Sequence, residues 1–198
     1  MLEVKPITLE GKVVRLEFLQ ATHLPDLFQA AQNDEIWNYL LMARPQTLAD
    51  LQSWFEAAME GWHSGVILPF AIIEQATNRV IGSTRYLAIS KTDYSVEIGY
   101  TWLGRDYWRT AVNTECKYLL LRHAFEVLGC IRVWFKADAR NLNSQRALAR
   151  IGAKKEGVLR KHMIVRNGYQ RDSVVFSILD DEWPEVKTSL EERLGLVE

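Results

Sequence analysis

The sequence predicts an α+β fold: a mixed, mostly antiparallel sheet with helices packed on both of its faces. Three observations lead there. Strand-like segments cluster between residues 67 and 103 with turn residues between them, amphipathic helical stretches flank that cluster, and one further buried strand stands between two helices. The 198 residues contain no internal repeat, low-complexity tract or Ser/Gly/Pro-rich linker, so a single domain over 1–198 is expected.

Taken in order, Val13–Leu19 alternates as a strand, and Thr22 opens a helix whose apolar face is Leu24, Leu27, Phe28 and Ala31. Thr47 caps a second helix with Leu48, Leu51, Trp54, Phe55 and Ala58 at helical spacing. Strands are predicted at Ile67–Glu74, Val80–Ile89 and Ser95–Leu103, with Asn78 and Asp93 in the turns. A long helix runs from Val112 to Val127 on the stripe Val112, Cys116, Leu119, Leu120, Ala124 and Val127, and Gly129 ends it. Ile131–Ala137 reads as a buried strand and Leu142–Ile151 as a short helix. Asn167-Gly168 signals a two-residue hairpin between His162–Arg166 and Tyr169–Leu179. A last helix begins near Asp181, with Pro184 in its first turn and Trp183, Val186, Leu190 and Leu194 inward.

The bulk properties narrow the function. With 48% hydrophobic and 25% charged residues the chain buries a core and stays dissolved. Lys+Arg 24 against Asp+Glu 25 leaves a formal charge of -1, without the basic excess that a phosphate-backbone binder needs, so nucleic acid is not an expected partner. The opening MLEVKPITLEGK lacks the apolar core of a secretory signal, and no run approaches the roughly 18 apolar residues of a membrane span. A cytoplasmic protein with no membrane partner is therefore expected. Cys116 and Cys130 form no CxxC and have no neighbouring His, which reads as two buried reduced thiols and no metal site.

Three patterns carry chemistry. The loop Arg105-Asp106-Tyr107-Trp108-Arg109-Thr110-Ala111 enters a helix, and the amides of Thr110, Ala111, Val112, Asn113 and Thr114 would be free to bind an anion, with Arg109 adding a charge-assisted bond. Glu97 is an acid in an otherwise apolar strand. Val96, Ile98, Tyr100 and Trp102 are expected on one face, and Glu97 with Gly99 and Thr101 on the other. Asn141 and Ser144 stand at a helix start. Each has a plainer explanation: a solvated arginine, a salt-bridged carboxylate, a helix cap.

In order, Ser95-Val-Glu-Ile-Gly-Tyr100, the loop, and Asp138-Ala-Arg-Asn141-Leu-Asn-Ser144 ending in Ile151-Gly152-Ala153 resemble the coenzyme-binding half of the GNAT N-acetyltransferases. Within them the signature is similar to that of the RimJ/RimL-type branch. The resemblance implies a GNAT fold splayed at the coenzyme strand, acetyl-coenzyme A as cosubstrate, and transfer to a primary amine. It implies that Thr101, Trp102 and Leu103 pair with the coenzyme arm, that Asn141 holds a pantetheine amide and that Ser144 lies near the sulfur. Glu97 becomes the general base, since an ammonium must lose its proton before it attacks a thioester.

The match departs from the family at two places. In the phosphate loop [QR]-x-x-G-x-[GA], Asp106 stands for Gln or Arg and Arg109 for the first Gly, while Ala111 keeps the last position. The family's Tyr, four residues before the final Gly, is Leu148 here, so no strong general acid is assigned; Ser144, near the sulfur, is the catalytic candidate for a weak donor to the leaving thiol. His162, beside Arg160 and Lys161, is a rival acid or base. Trp37, Tyr39 and Trp62 fall in the region that shapes the acceptor site in this family, with Trp37 and Tyr39 the acceptor-binding candidates. The expected acceptor is an α-amino group of a protein, peptide or small molecule, and pairing with a second copy is left open. The alternative is a coenzyme-A-binding protein without turnover.

Overall fold

The structure is a computed structural model that describes residues 2–197, Asn167 by its backbone alone. Eight strands form one sheet: β1 (Leu9–Glu10), β2 (Val14–Phe18), β3 (Leu68–Glu74), β4 (Val80–Ser90), β5 (Ser95–Leu103), β6 (Arg132–Asp138), β7 (Lys154–Ile164) and β8 (Gln170–Leu179). Their order is β1-β2-β3-β4-β5-β6-β8-β7. Neighbours are antiparallel except β5 and β6, which are parallel. A parallel pair needs a crossover, and α3 (Val112–Arg122) supplies it.

The remaining helices are α1 (Leu24–Ala30), α2 (Leu48–His63), α4 (Leu142–Arg150) and α5 (Trp183–Leu194). Thr47 and Asp50 form a capping box at α2, the Asp50 amide donating to Thr47 Oγ1 at 3.2 Å and the Thr47 amide to Asp50 Oδ2 at 2.8 Å. The helix expected from Thr22 starts later: a 3-10 turn, Ala21–His23, leads into α1 at Leu24.

Two cores result. On one face α3 and α5 cover Leu16, Phe70, Tyr86, Val96, Ile98 and Phe135. On the other, α1 and α2, the latter through Leu51, Trp54 and Ala58, cover Trp37, Ala71, Ile73 and Trp102. Glu115 of α3 ties the edge of the sheet to the first core, its carboxylate accepting from the amides of Lys12 (2.8 Å), Val13 (2.7 Å) and Val14 (2.7 Å).

Three expectations are corrected. The long helix stays α-helical only to Arg122, and His123–Val127 is a π-type turn. The wider turn rotates the stripe, leaving Val127 69% exposed instead of packed. The hairpin is not a two-residue turn at Asn167-Gly168. Its strands end at Ile164 and resume at Gln170, and Val165–Tyr169 connects them through a 3-10 turn whose last residue, Gly168, takes φ 71°. The third correction concerns β5 and bears directly on the site.

Candidate active site

The strict alternation expected along β5 breaks at Tyr100. Ser83 pairs with Trp102 and Arg85 with Gly99, so Thr84 alone faces both Tyr100 and Thr101. This is a β-bulge, with Tyr100 at φ 50°. One extra residue exchanges the two faces. Thr101 therefore turns away from Glu97 toward α3, where its Oγ1 lies 2.8 Å from Thr84 Oγ1 and accepts from Lys117 Nζ at 2.7 Å. Trp102 turns from the α3 side to the helix α1–α2 side, its ring 5.3 Å from that of Trp37.

Beyond Glu97 the parallel pair separates. β5 and β6 are paired only over Ser95–Glu97 with Arg132–Trp134, while β6 continues along β8 to Asp138. The edge of β5 from Ile98 to Leu103 thus faces a cleft rather than a neighbouring strand. Backbone groups along such an edge seek partners, and the paired amides of an extended arm satisfy them.

At one end of the cleft the loop after β5 enters α3. Arg105–Tyr107 forms a 3-10 turn, Trp108 Nε1 donates to Leu103 O at 3.0 Å, and Thr110 Oγ1 donates to Tyr107 O at 2.8 Å. Arg109, in place of the family glycine, takes the left-handed φ of 61° that a glycine would adopt. The loop keeps a glycine-like path while presenting an exposed guanidinium. Thr110 and Ala111 are exposed beside it, Val112 is buried, and Asn113 and Thr114 are half-buried in the first turn of α3, whose leading amides have no intrahelical acceptor. Arg105 is otherwise engaged, its Nε on Glu35 Oε2 at 3.0 Å and its guanidinium over the Trp108 ring. Asp106 is exposed.

α4 follows β6 in the chain and packs on β6 and β7. Asn141 caps it, Oδ1 accepting from the Ser144 amide at 3.0 Å, and Ser144 is half-buried. The signature turn before it is internally bonded: Arg140 reaches Asp138 through Nε (3.0 Å), Nη2 (2.8 Å) and its amide (2.9 Å). Burial pushes the Asp138 carboxyl up, yet these bonds outweigh it and the group ends below the usual carboxylate range. Leu148 is buried in the first core.

Glu97 sits at the last rung before the strands part, 6% exposed. Lys136 Nζ lies 3.2 Å from its Oε2. Burial raises the Glu97 carboxyl, while Lys136 and then Arg171 oppose the rise. Tyr100, half-buried beside this carboxyl, is pushed up by burial and by Glu97, with Arg85 and Arg171 pulling the other way. His162 Nδ1 is 3.1 Å from Ser173 Oγ, and burial, Lys136 and Arg171 all lower its pKa.

On the α3 side, Lys117 is 6% exposed and burial pulls its ammonium down to about 8. Burial also pushes the free thiols of Cys116 and Cys130 up to about 12.

A cavity of about 270 Å³ is lined by Tyr39, Asp138, Arg140, Arg166 and Tyr169 among others, and Glu97 is not part of its lining. Trp37 is 2% exposed, its Nε1 donating to Ala31 O at 2.8 Å. Trp62 packs on Phe18, ring centres 5.4 Å apart, and lines no part of this cavity. Sequence reading missed Arg85, Lys117, Lys136 and Arg171. Lys136 was the most accessible of them, because it shares a strand face with Trp134 and Asp138.

A parallel strand pair that parts beside a carboxylate, with a helix N-terminus at one end of the cleft, defines a GNAT-type acetyltransferase. Residues 14–154 match the model of the acetyltransferase (GNAT) domain, and the chain belongs to this family of N-acetyltransferase enzymes, which take the acetyl group from acetyl-coenzyme A. It is similar to a GCN5-related N-acetyltransferase from Brucella melitensis, at 33% identity and a TM-score of 0.91 over 96% of this chain and 86% of that one. A candidate acetyltransferase from T. thermophilus is 40% identical, with a TM-score of 0.88 over 97% of this chain and 99% of that one. Among curated proteins, the uncharacterized N-acetyltransferase YoaA of Bacillus subtilis (strain 168) is 26% identical over 77% of this chain and 85% of its own length. No helix of the described residues is long and apolar enough to cross a membrane.

Proposed function

We propose that this protein is a single-domain, cytoplasmic N-acetyltransferase of the RimJ/RimL-type branch that moves the acetyl group of acetyl-coenzyme A to an α-amino group by direct attack. The observation that carries this reading is the position of Glu97, a buried carboxyl with a raised pKa at the point where β5 and β6 diverge. The amine gives its proton to Glu97, directly or through water, and its lone pair forms a bond to the thioester carbonyl carbon. The carbon–sulfur bond then breaks as the nitrogen loses its second proton, and the departing thiolate takes that proton up, leaving an amide and a free thiol. A base whose pKa approaches the working pH accepts that proton more readily.

The coenzyme arm lies along the edge of Thr101, Trp102 and Leu103. Its phosphates meet Arg109 and the amides of Thr110 to Thr114, Asn141 holds a pantetheine amide, and Ser144 stands near the sulfur. A thiol of pKa near 8.5 leaves without a strong acid, so the loss of the family Tyr at Leu148 is tolerable. Tyr39, with Trp37 behind it, shapes the acceptor entrance. Glu97→Gln tests the assignment. It should still gain melting temperature from acetyl-coenzyme A and lose turnover about 10²–10⁴-fold at pH 7. Full turnover in that variant would remove Glu97 from the mechanism, and a wild-type melting curve indifferent to acetyl-coenzyme A would remove the transferase reading.

A further inference from the structure

The sheet face that carries Glu97 holds more buried positive charge than the transfer step uses. Around Glu97 and Asp138 stand four cations: Arg85 and Arg171 are buried, Lys136 is half-buried and Arg140 is exposed. Lys136 is matched to Glu97 at 3.2 Å and Arg140 to Asp138 at 2.8 Å. Arg171, 7% exposed, reaches only the already engaged Asp138, at 4.0 Å and without a hydrogen bond from Nε. Arg85, 4% exposed, has no carboxylate partner among the described residues. Its guanidinium lies between the Trp54 ring (4.6 Å) and the Tyr100 ring (5.0 Å).

The hydrogen-bond accounting points the same way. Nε and Nη2 of Arg85, Nε of Arg171, and the indole N–H groups of Trp54 and Trp102 are buried without an acceptor. All are donors, and Trp54 touches both Arg85 and Trp102. Native proteins rarely leave such groups unpaired: ordered water can serve each donor singly, and an anion can serve several donors and the unmatched charge at once.

The sheet pairing sets the unmatched cation next to the base. Arg85 pairs across the sheet with Gly99, and Leu87 with Glu97, so all four share a face. A Cβ at Gly99 would approach Leu87 Cδ1 at 2.7 Å and Glu97 Oε1 at 3.2 Å. Leu87 and Glu97 close over Gly99, so no side chain of the strand itself stands between the general base and Arg85. Along the strand the Cα atoms of Glu97 and Gly99 lie about 6.6 Å apart, which keeps Glu97 and the residue paired with Gly99 close neighbours on the backbone.

From this geometry we infer that the acceptor carries a carboxylate close to its amine, the amine presented to Glu97 and the carboxylate held by Arg85 with Arg171. The inference rests on the transferase reading and deepens it. Two sources offer that chemistry: the α-carboxylate of a free amino acid, or the acidic side chain of a peptide's first residue. A polyamine, which would add positive charge to this face, does not fit.

The test uses coenzyme-A-loaded protein and matched product analogues. N-acetylglycine is compared with N-acetylglycinamide, and a peptide beginning N-acetyl-Glu with the same peptide beginning N-acetyl-Gln, by melting temperature. The carboxylate member of at least one pair should bind tenfold or more tightly, and which pair responds identifies the source. Arg85→Gln should bring that ratio to near one, and Arg85→Lys should retain part of it. Equal binding within both pairs in the wild type overturns the inference whether or not any variant folds, as does a ratio that survives in Arg85→Gln. If coenzyme A itself leaves the melting curve unmoved, the transferase reading falls first and this one with it.

Discussion

Lys136 Nζ stands 3.2 Å from Glu97 Oε2 at the rung where β5 and β6 diverge, so the cleft's buried acid and its closest cation come from its two walls. The lysine limits how far burial can raise the carboxyl.

Replacing Lys136 by Met should therefore raise the Glu97 pKa further and move the acidic limb of the pH–rate profile to higher pH. A limb that stays in place would show that Glu97 is not the group titrating. Stability gives an independent check. Because the folded pKa is raised, Glu97 favours folding below its unfolded pKa and costs stability as pH rises through the folded value. Thermal melts of Glu97→Gln should accordingly gain on the wild type as pH rises above the unfolded carboxyl value of roughly 4.3, even as activity is lost.

Lys117 provides a second pH signature of opposite sign. Its folded pKa of about 8 lies below the unfolded value, roughly 10.4, so the unfolded chain binds more protons between the two. Its contribution to stability rises across that window by up to about 3 kcal/mol. The thiols of Cys116 and Cys130, pushed up to about 12, act the other way above about 8.5, so only a difference is informative. Denaturant titrations of wild type minus Lys117→Met should show the slope, and a flat difference from pH 7 to 10 refutes it.

Arg109→Gly separates backbone strain from ligand contact. A non-glycine residue at φ 61° carries a cost that glycine removes, partly offset by the greater freedom of the unfolded chain, so stability should rise by up to about 1 kcal/mol. Coenzyme affinity, measured by calorimetry, should fall several-fold if the guanidinium meets a phosphate. Unchanged affinity would leave the amides as the whole phosphate site.

The amine preference follows from protonation. An α-amino group of pKa near 7.7–8.0 is roughly 10–20% neutral at pH 7, whereas a lysine near 10.4 is neutral about once in several thousand. A peptide with a free N-terminus should outcompete the same peptide with a blocked N-terminus and one internal Lys. Faster acetylation of the lysine would call for a stronger base than Glu97.

Much of the fold was legible in the chain because period and punctuation are local properties. The β3–β5 strands, the Thr47 cap of α2 and the start of α4 at Asn141 each depend on residues within a turn or two of one another. The same holds for the strand acid Glu97 and the loop running into α3. What sequence alone determined was the family architecture and the positions along the chain where its chemistry falls.

Tertiary structure decided which of these groups meet. The Tyr100 bulge exchanges the faces of Thr101 and Trp102, and a one-residue register change of this kind leaves no mark on hydrophobic alternation. The π-type turn at His123 similarly turns Val127 outward. Arg85, Lys136 and Arg171 sit on three different strands, two of them separated from β5 by a crossover or a hairpin, and only sheet pairing brings them to one face with Glu97. Charge and burial at that face are sums over such long-range neighbours, so the acid's raised pKa and the unmatched arginines could be read only from the folded chain.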